Sequence, residues 1–143
     1  MIPALCATVL FAGLAWIVYE DIRAFRIPDA ASLPLIAAGL LCAAFEGRLG
    51  SAAIGSALGY CLLVCLDWVY CWIRHRSGIG RGDAKLLAAS GAWVGWQGLP
   101  MIILLASGLG LAMVLLLRRF DRPIPFGPFL AVATTAAWAV RSS

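Results

Sequence analysis

The feature that most constrains this fold is an uncharged, mostly apolar stretch that is too long for one helix across a membrane. Leu86–Leu117 contains 32 residues without a charge. As a single helix it would extend about 48 Å, whereas the hydrocarbon core of a bilayer is about 30 Å thick. The chain must therefore turn back inside this run. Gln97-Gly98-Leu99-Pro100 supplies the break, because glycine frees the backbone and proline restarts a helix.

Four other apolar stretches have lengths close to that of a membrane-spanning helix. They are Ile2–Tyr19, Ala30–Phe45, Ser51–Ile73 and Phe126–Val140. Hydrophobic residues make up 63% of the chain and charged residues 13%, whereas a soluble domain is about half apolar and about a quarter charged. We therefore predict a single all-α domain over residues 1–143, a bundle of six transmembrane helices with the lipid bilayer as its solvent.

The distribution of basic residues predicts the orientation of such a bundle. With six spans, the loops at residues 20–29, 74–85 and 118–125 lie on one side. They carry nine of the eleven basic residues: Arg23, Arg26, Arg74, Arg76, Arg81, Lys85, Arg118, Arg119 and Arg122. The other side has only Arg48 and Arg141. Because cytoplasmic loops are rich in Lys and Arg, we predict a membrane protein with both termini outside the cytoplasm.

The remaining polar chemistry is sparse. The cysteines all lie in apolar stretches without a C-x-x-C pair, so we interpret them as small packing residues; they are Cys6, Cys42, Cys61, Cys65 and Cys71. One histidine, His75, does not make a metal site. No basic stripe is interleaved with aromatic residues, so we expect no metal, no cofactor and no nucleic-acid partner.

Two aspartates are predicted to meet at the cytoplasmic boundary. Asp21 ends the first span and Asp83 begins the fourth, so the topology puts both at the same membrane surface. Two carboxylates around one water are the machinery of aspartic proteolysis: the ionised one takes a proton from the water and the protonated one hydrogen-bonds the scissile carbonyl. Either aspartate alone would more often be a helix cap or a solvated charge.

The segment around Asp83 carries a more specific pattern. Gly80-Arg-Gly82-Asp83-Ala-Lys85-Leu-Leu resembles the GxGDxKLL signature of the type IV prepilin peptidases. The segment from Asp21 to Leu35 resembles the family's first aspartate motif. Its C-terminal motif resembles the segment that runs from Arg122 through Pro125, Gly127 and Leu130. The three blocks follow one another in the family's order, over roughly residues 17–140.

The resemblance implies an aspartic endopeptidase that removes the short basic leader of prepilin or pseudopilin-like proteins at the cytoplasmic face, cutting after a glycine. By motif position the catalytic residues are Asp21 and Asp83, whereas Asp29 is not a catalyst. The residues that it implies bind substrate or shape the site are Gly80, Gly82, Lys85, Pro125 and Gly127. For Lys85, snorkelling to the membrane surface is an equally good explanation. The implied partner is the leader together with the apolar helix that follows it.

The sequence departs from the bifunctional members of that family. Those members carry a cysteine-paired insertion ahead of the first aspartate motif and also methylate the new N-terminus. Here 20 residues precede Asp21, and no C-x-x-C pair occurs. We expect a minimal form in which N-methyltransferase activity is absent.

Two other functions stay open at this point. A small transporter or channel subunit would use Asp21, Asp67 and Asp83 as a polar pathway, and a non-catalytic scaffold of a secretion system would not need them. Within the protease interpretation, helix dipoles favour an ionised Asp83 at a helix start and a protonated Asp21 at a helix end. Arginines near Asp21 oppose that preference.

Overall fold

The protein, described here by a computed structural model, consists of six α-helices. The structure describes residues 2–76, 78, 80–118 and 124–143. The helices are α1 (Ile2–Ala24), α2 (Asp29–Phe45), α3 (Leu49–Arg74), α4 (Arg81–Val94), α5 (Leu99–Leu117) and α6 (Gly127–Ser142). The prediction of an all-helical fold with six helices is confirmed.

Three helices end in the same way. Within the described residues, the non-glycine positions with positive φ are Phe25 at +50°, His75 at +55° and Arg118 at +48°. Each follows directly on the last turn of α1, α3 or α5, where a left-handed residue commonly closes a helix. Pro28 then starts α2 in extended conformation, so the chain reverses within four residues of the end of α1.

The long uncharged run is interrupted, as predicted, but earlier than predicted. α4 ends at Val94 because Gly95 adopts φ +88°, a conformation that a residue with a side chain rarely takes. A 3₁₀ turn at Trp96–Gly98 follows, and Pro100 lies in the first turn of α5. The predicted break is Gln97–Pro100, whereas the glycine that ends the helix is Gly95.

The helices differ in their fit to a bilayer. Among the described residues, three segments are long and apolar enough to cross one, namely Ala4–Ala24, Leu49–Arg74 and Trp96–Leu117. α2 is a shorter apolar helix. α4 has 14 residues, which corresponds to about 21 Å, and every residue from Leu86 to Val94 is buried. α4 is therefore the central helix, surrounded by protein and not by lipid.

Small residues let α3 approach α4 at van der Waals distance. A Cβ added at Gly55 would lie 2.6 Å from the carbonyl oxygen of Gly91, and one added at Gly59 would lie 2.7 Å from the carbonyl oxygen of Leu87. Gly55 and Gly59 are four residues apart and share one face of α3, the spacing common at membrane helix contacts. This close crossing fixes the position of α4, and hence of Asp83 in its first turn.

Buried polar groups tie α4 to its other neighbours. The indole Nε1–H of Trp93 donates to the carbonyl oxygen of Leu35 in α2 at 2.9 Å. The hydroxyls of Ser90 and Thr134 are 2.6 Å apart and link α4 to α6. Trp93 is 1% exposed, so its N–H needs this acceptor. These bonds fix the rotation of α4 about its own axis.

The cysteine prediction is wrong. Cys6 and Cys42 form a disulfide that joins α1 to α2, with Cα atoms 6.4 Å apart. Cys61, Cys65 and Cys71 are exposed on α3 instead of packed between helices. Sequence spacing does not reveal either outcome, because the pairing depends on two antiparallel helices bringing residues 6 and 42 to the same level.

A compact charge cluster closes the end of the bundle that is remote from Asp21. Glu46 binds Arg48 and accepts a hydrogen bond from Nη1 of Arg141 at 3.1 Å. Burial acts to raise the pKa of Glu46, but the hydrogen bonds and charges of the two arginines outweigh it and lower that pKa. The two basic residues that the sequence analysis assigned to this side therefore share one acid.

Candidate active site

A cavity of about 860 Å³ opens where α1 and α3 end and α2, α4 and α6 begin. Three separate segments line it: the end of α1 with the start of α2, the loop into α4, and the residues just before α6. The predicted site residues in its wall are Asp21, Gly80, Gly82, Asp83, Lys85 and Pro125. The chain thus brings its three motif blocks to one place.

Asp21 is the buried member of the acidic pair. It is 6% exposed and lies in the last turn of α1. Its Oδ2 accepts the backbone N–H of Gly127 at 2.9 Å. A Cβ added at Gly127 would lie 2.5 Å from the same oxygen. Gly127 is therefore a donor that a side chain would displace, and it connects the C-terminal block to the first.

Asp83 lies in the first turn of α4, outside the three candidate spans. Its backbone N–H donates to the carbonyl oxygen of Gly80 at 3.1 Å, which closes that turn. Burial, and next the negative charge of Asp21, raise the pKa of Asp83 to about 6. The second cause requires the two carboxyl groups to be close enough to interact, as a pair that shares one proton must be.

Two features of the surroundings oppose the assignment of the proton expected from helix dipoles. A backbone N–H bond favours the ionised form of a carboxyl group, and Asp21 has one from Gly127. Asp83 has its pKa raised by burial and by Asp21. The bond from Gly127 thus acts against a protonated Asp21, and the raised pKa of Asp83 acts against an ionised Asp83, whereas the opposing helix-dipole effect is about 0.3–1 kcal/mol.

The two glycines before Asp83 have different surroundings. A Cβ added at Gly82 would lie 2.8 Å from Cβ of Ile27, in the loop between α1 and α2. A Cβ added at Gly80 would have an ordinary contact of 3.6 Å with Oδ2 of Asp83. Gly82 is thus required for packing between two motif blocks, whereas Gly80 leaves open space beside a carboxyl oxygen.

Lys85 forms an ion pair with Asp29. Asp29 is the first residue of α2 and Lys85 is the fifth residue of α4, and both line the cavity. The pair is partly exposed to water, because the side chain of Asp29 is 62% exposed. It ties the starts of two helices together at the rim of the cavity and gives Lys85 a partner other than lipid headgroups.

Sequence reasoning missed several residues of the cavity wall. Glu20, Arg26 and Arg81 add charge to it, and Phe25 and Phe126 add aromatic surface. These residues could have been predicted from their position beside the motif residues, because residues next to a helix end lie at the same depth in the membrane as that end. Arg119 and Arg122, which were part of the charge argument and the third block, lie outside the described residues.

Chemically, the arrangement offers two carboxyl groups in the wall of one open cavity of about 860 Å³. Across the part of the chain that the structure describes, no three His, Cys, Asp or Glu side chains are grouped as metal ligands. Two interacting carboxyl groups that are partly shielded from water are suited to transferring protons to and from a reacting amide.

Comparison with known proteins gives a consistent result. Residues 8–115 match the family model described as the type IV leader peptidase family. A prepilin leader peptidase/N-methyltransferase of Burkholderia pseudomallei is 43% identical over 141 residues, which is 93% of this chain and 45% of that protein. The protein of the same name from Escherichia coli is 47% identical over 120 residues, 80% of this chain and 53% of its own length.

A third relative with that name, from Aeromonas hydrophila, is 43% identical over 136 residues, 90% of this chain and 47% of the relative. The chain thus spans about half the length of the curated relatives it matches. No solved structure matches it significantly.

Proposed function

This chain belongs to the type IV leader peptidase family, and on that basis we propose that it is a membrane aspartic endopeptidase. Its substrates are prepilin or pseudopilin-like proteins, from which it removes the short basic leader after a glycine. The relatives at 40–47% identity are named for prepilin leader cleavage. The proposal transfers that activity to the part of their length that this chain spans.

The observation that carries the proposal is the convergence of Asp21 and Asp83 on one cavity. The two residues come from different helices, and the charge of one raises the pKa of the other. A salt bridge or a helix cap does not need two carboxyl groups in the wall of one cavity. A hydrolytic site does, because the water must lose a proton while the carbonyl oxygen gains a hydrogen bond.

In the proposed mechanism Asp21 is the base. Its carboxylate, oriented by the N–H of Gly127, takes a proton from a water molecule, and the resulting hydroxide attacks the scissile carbonyl. Asp83 donates its proton toward the carbonyl oxygen, which stabilises the charge that develops there. When the tetrahedral intermediate collapses, a proton passes to the leaving amine, and the pair returns to its monoprotonated state.

We further propose that all six helices cross the inner membrane and that the site faces the cytoplasm. Arg26, Arg81 and Lys85 line the cavity, and most of the other Lys and Arg residues belong to the three loops that the charge distribution assigns to the cytoplasmic side. Arg48 and Arg141, at the other end of the bundle, share Glu46. α4 and α6 are short for a spanning helix. α4 is covered by its neighbours, so it does not need to match the lipid thickness by itself.

Leader cleavage by matched aspartate variants tests this function. Asp21→Asn and Asp83→Asn keep the shape of each side chain but remove its acid–base chemistry, so each variant should lose at least about 100-fold in cleavage rate. Asp29→Asn, on the rim of the same cavity, is the control and should stay active. The measurement is conversion of a prepilin in membranes that contain equal amounts of each variant.

Unimpaired cleavage by Asp83→Asn would contradict the proposed function. If the protein lacks activity in every form but still supports assembly of a secretion system, a scaffold role is the better explanation.

A further inference from the structure

Asp67 is a carboxylate inside a membrane helix that the proposed mechanism does not use. It lies seven residues before Arg74, the end of α3, which is about two helical turns. Ionisable groups at such positions are costly and usually have a task. Here Oδ1 of Asp67 accepts the backbone N–H of Gly78 at 3.1 Å. The bond crosses from α3 to the loop that leads into α4.

Tyr70 holds Gly78 from a second direction. A Cβ added at Gly78 would lie 2.6 Å from Cδ1 of the Tyr70 ring, so the glycine packs directly on that ring. Asp67 and Tyr70 are three residues apart and therefore face the same side of α3. Together the hydrogen bond to Asp67 and the packing on the Tyr70 ring fix the position of the Gly78 backbone against α3.

Two cavities share part of the loop that leads into α4. Gly78 lines the cavity of Asp21 and Asp83, whereas Asp67 lines a second one of about 730 Å³ between α3 and the start of α4. Gly80 and Arg81 line both. The carbonyl oxygen of Gly80 also accepts the N–H of Asp83, and Asp83 lies five residues after Gly78 in the sequence.

We propose that Asp67 is a positioning residue, which holds Gly78 against Tyr70 and thereby sets the place of Asp83 in the site. This inference rests on the proposed function and deepens it. Asp67 itself does not touch the reacting atoms. Its effect is mechanical, because catalytic groups must stay within about 0.5 Å of productive geometry, and a misplacement of about 1 Å can lower the rate about 100-fold.

The first test compares two replacements of Asp67. Asp67→Asn keeps an acceptor oxygen for Gly78, so its kcat should stay within about threefold of the parent. Asp67→Leu has the same branching and number of side-chain heavy atoms without an acceptor, so its kcat should fall about 10- to 100-fold, with KM changed by less than about threefold. Val64→Ala, which alters the same second cavity but leaves the acceptor in place, is the control and should resemble the parent.

A second test does not depend on Asp67→Leu inserting correctly. Gly78→Ala should lower kcat by about tenfold or more, because its methyl group overlaps the Tyr70 ring. Adding Tyr70→Ala makes room for that methyl group, so the double variant should be more active than Gly78→Ala alone. Such non-additivity is expected only of residues in contact.

The outcomes separate this inference from the proposed function. If the parent cleaves prepilin and Asp67→Leu cleaves equally well, the positioning role is wrong and the protease assignment stands. If Asp67→Asn is as defective as Asp67→Leu, the charge of Asp67 matters and not its bond to Gly78, which also overturns the inference. A parent without leader cleavage would contradict the proposed function itself.

Discussion

At the scale of single residues, the site depends on glycines as much as on acids. Gly127 supplies an N–H to Asp21, Gly82 packs on Ile27, and Gly78 packs on Tyr70. Each is a point where the backbone comes close to a group that a side chain would push away. The positions of the two aspartates therefore depend on neighbouring residues that have no side chain.

Gly127→Ala gives the most direct check of that dependence. The added methyl group would lie 2.5 Å from Oδ2 of Asp21, so we expect the carboxylate to be displaced and kcat to fall about 100-fold. Gly80→Ala is the matched control, because its methyl group would have only an ordinary contact with Asp83. The measurement is leader cleavage at equal protein levels, and a Gly127→Ala enzyme with parental kcat would contradict the assigned donor.

The pH dependence of cleavage follows from the raised pKa of Asp83. The active pair carries one proton. Below the pKa of the more acidic member both groups are protonated and the base is lost. Above the pKa of Asp83, about 6, both groups are ionised and the acid is lost. The value of kcat/KM, which reports the pKa values of the free enzyme, should therefore fall as the pH rises through about 6.

Asp29→Asn provides the control for the pH profile. Because the ion pair of Asp29 and Lys85 lies at the rim of the cavity, its loss should not change the fall of kcat/KM at higher pH. A kcat/KM that stays constant between pH 5 and 8 would show that Asp83 does not carry the titrating proton.

At the scale of helices, the crossing of α3 and α4 determines where the second aspartate lies. Gly55 and Gly91 meet with backbone against backbone, and such contact leaves no volume that could relax around an added side chain. α4 cannot shift along α3 without losing this fit. The depth of Asp83 in the bundle is thus set by glycines more than two turns away from it.

Gly91→Ala should destabilise the protein by about 1–3 kcal/mol, the usual cost of overpacking a tight core. Gly108→Ala, in α5, is the control, since a Cβ there would meet nothing within 4 Å and alanine is the better helix former. Thermal unfolding of both variants in the same detergent measures the difference. Equal melting temperatures would mean that the α3–α4 contact is looser than described.

At the scale of the whole molecule, the two ends of the bundle have different chemistry. One end holds the cavity, its acids and most of the basic residues. The other holds the Cys6–Cys42 disulfide and the Glu46 cluster. Disulfides persist in oxidising compartments such as the periplasm and are rare in the cytosol. The disulfide end and the proposed cytoplasmic site thus fit one orientation.

Thiol labelling tests that orientation in a variant in which Cys61, Cys65 and Cys71 are replaced by alanine. Cys6 and Cys42 should react with a maleimide only after reduction. A cysteine introduced by Arg26→Cys, in the cavity wall, should react with an impermeant maleimide in inverted membrane vesicles but not in right-side-out cells. Labelling of that cysteine from the outside would reverse the proposed topology.

Much of this molecule could be predicted from its sequence, for identifiable reasons. Helix positions follow from apolar length and charge, and the meeting of Asp21 with Asp83 follows from counting spans. The sequence did not predict Gly95 as the helix end, the Cys6–Cys42 pair or the bond from Asp67 to Gly78. These depend on distances between helices that spacing along the chain does not encode.

The burial of α4 has a consequence for how the protein is made. Its alanines, glycines and serine are suited to contact with protein and not with lipid. Release of α4 alone from the translocon into the bilayer is therefore unfavourable. We expect α4 to leave the translocon as a hairpin with α3, whose Gly55 and Gly59 are already in place. A nascent chain truncated after α3 leaves that glycine face open to lipid and should be the form that membrane quality-control proteases degrade first.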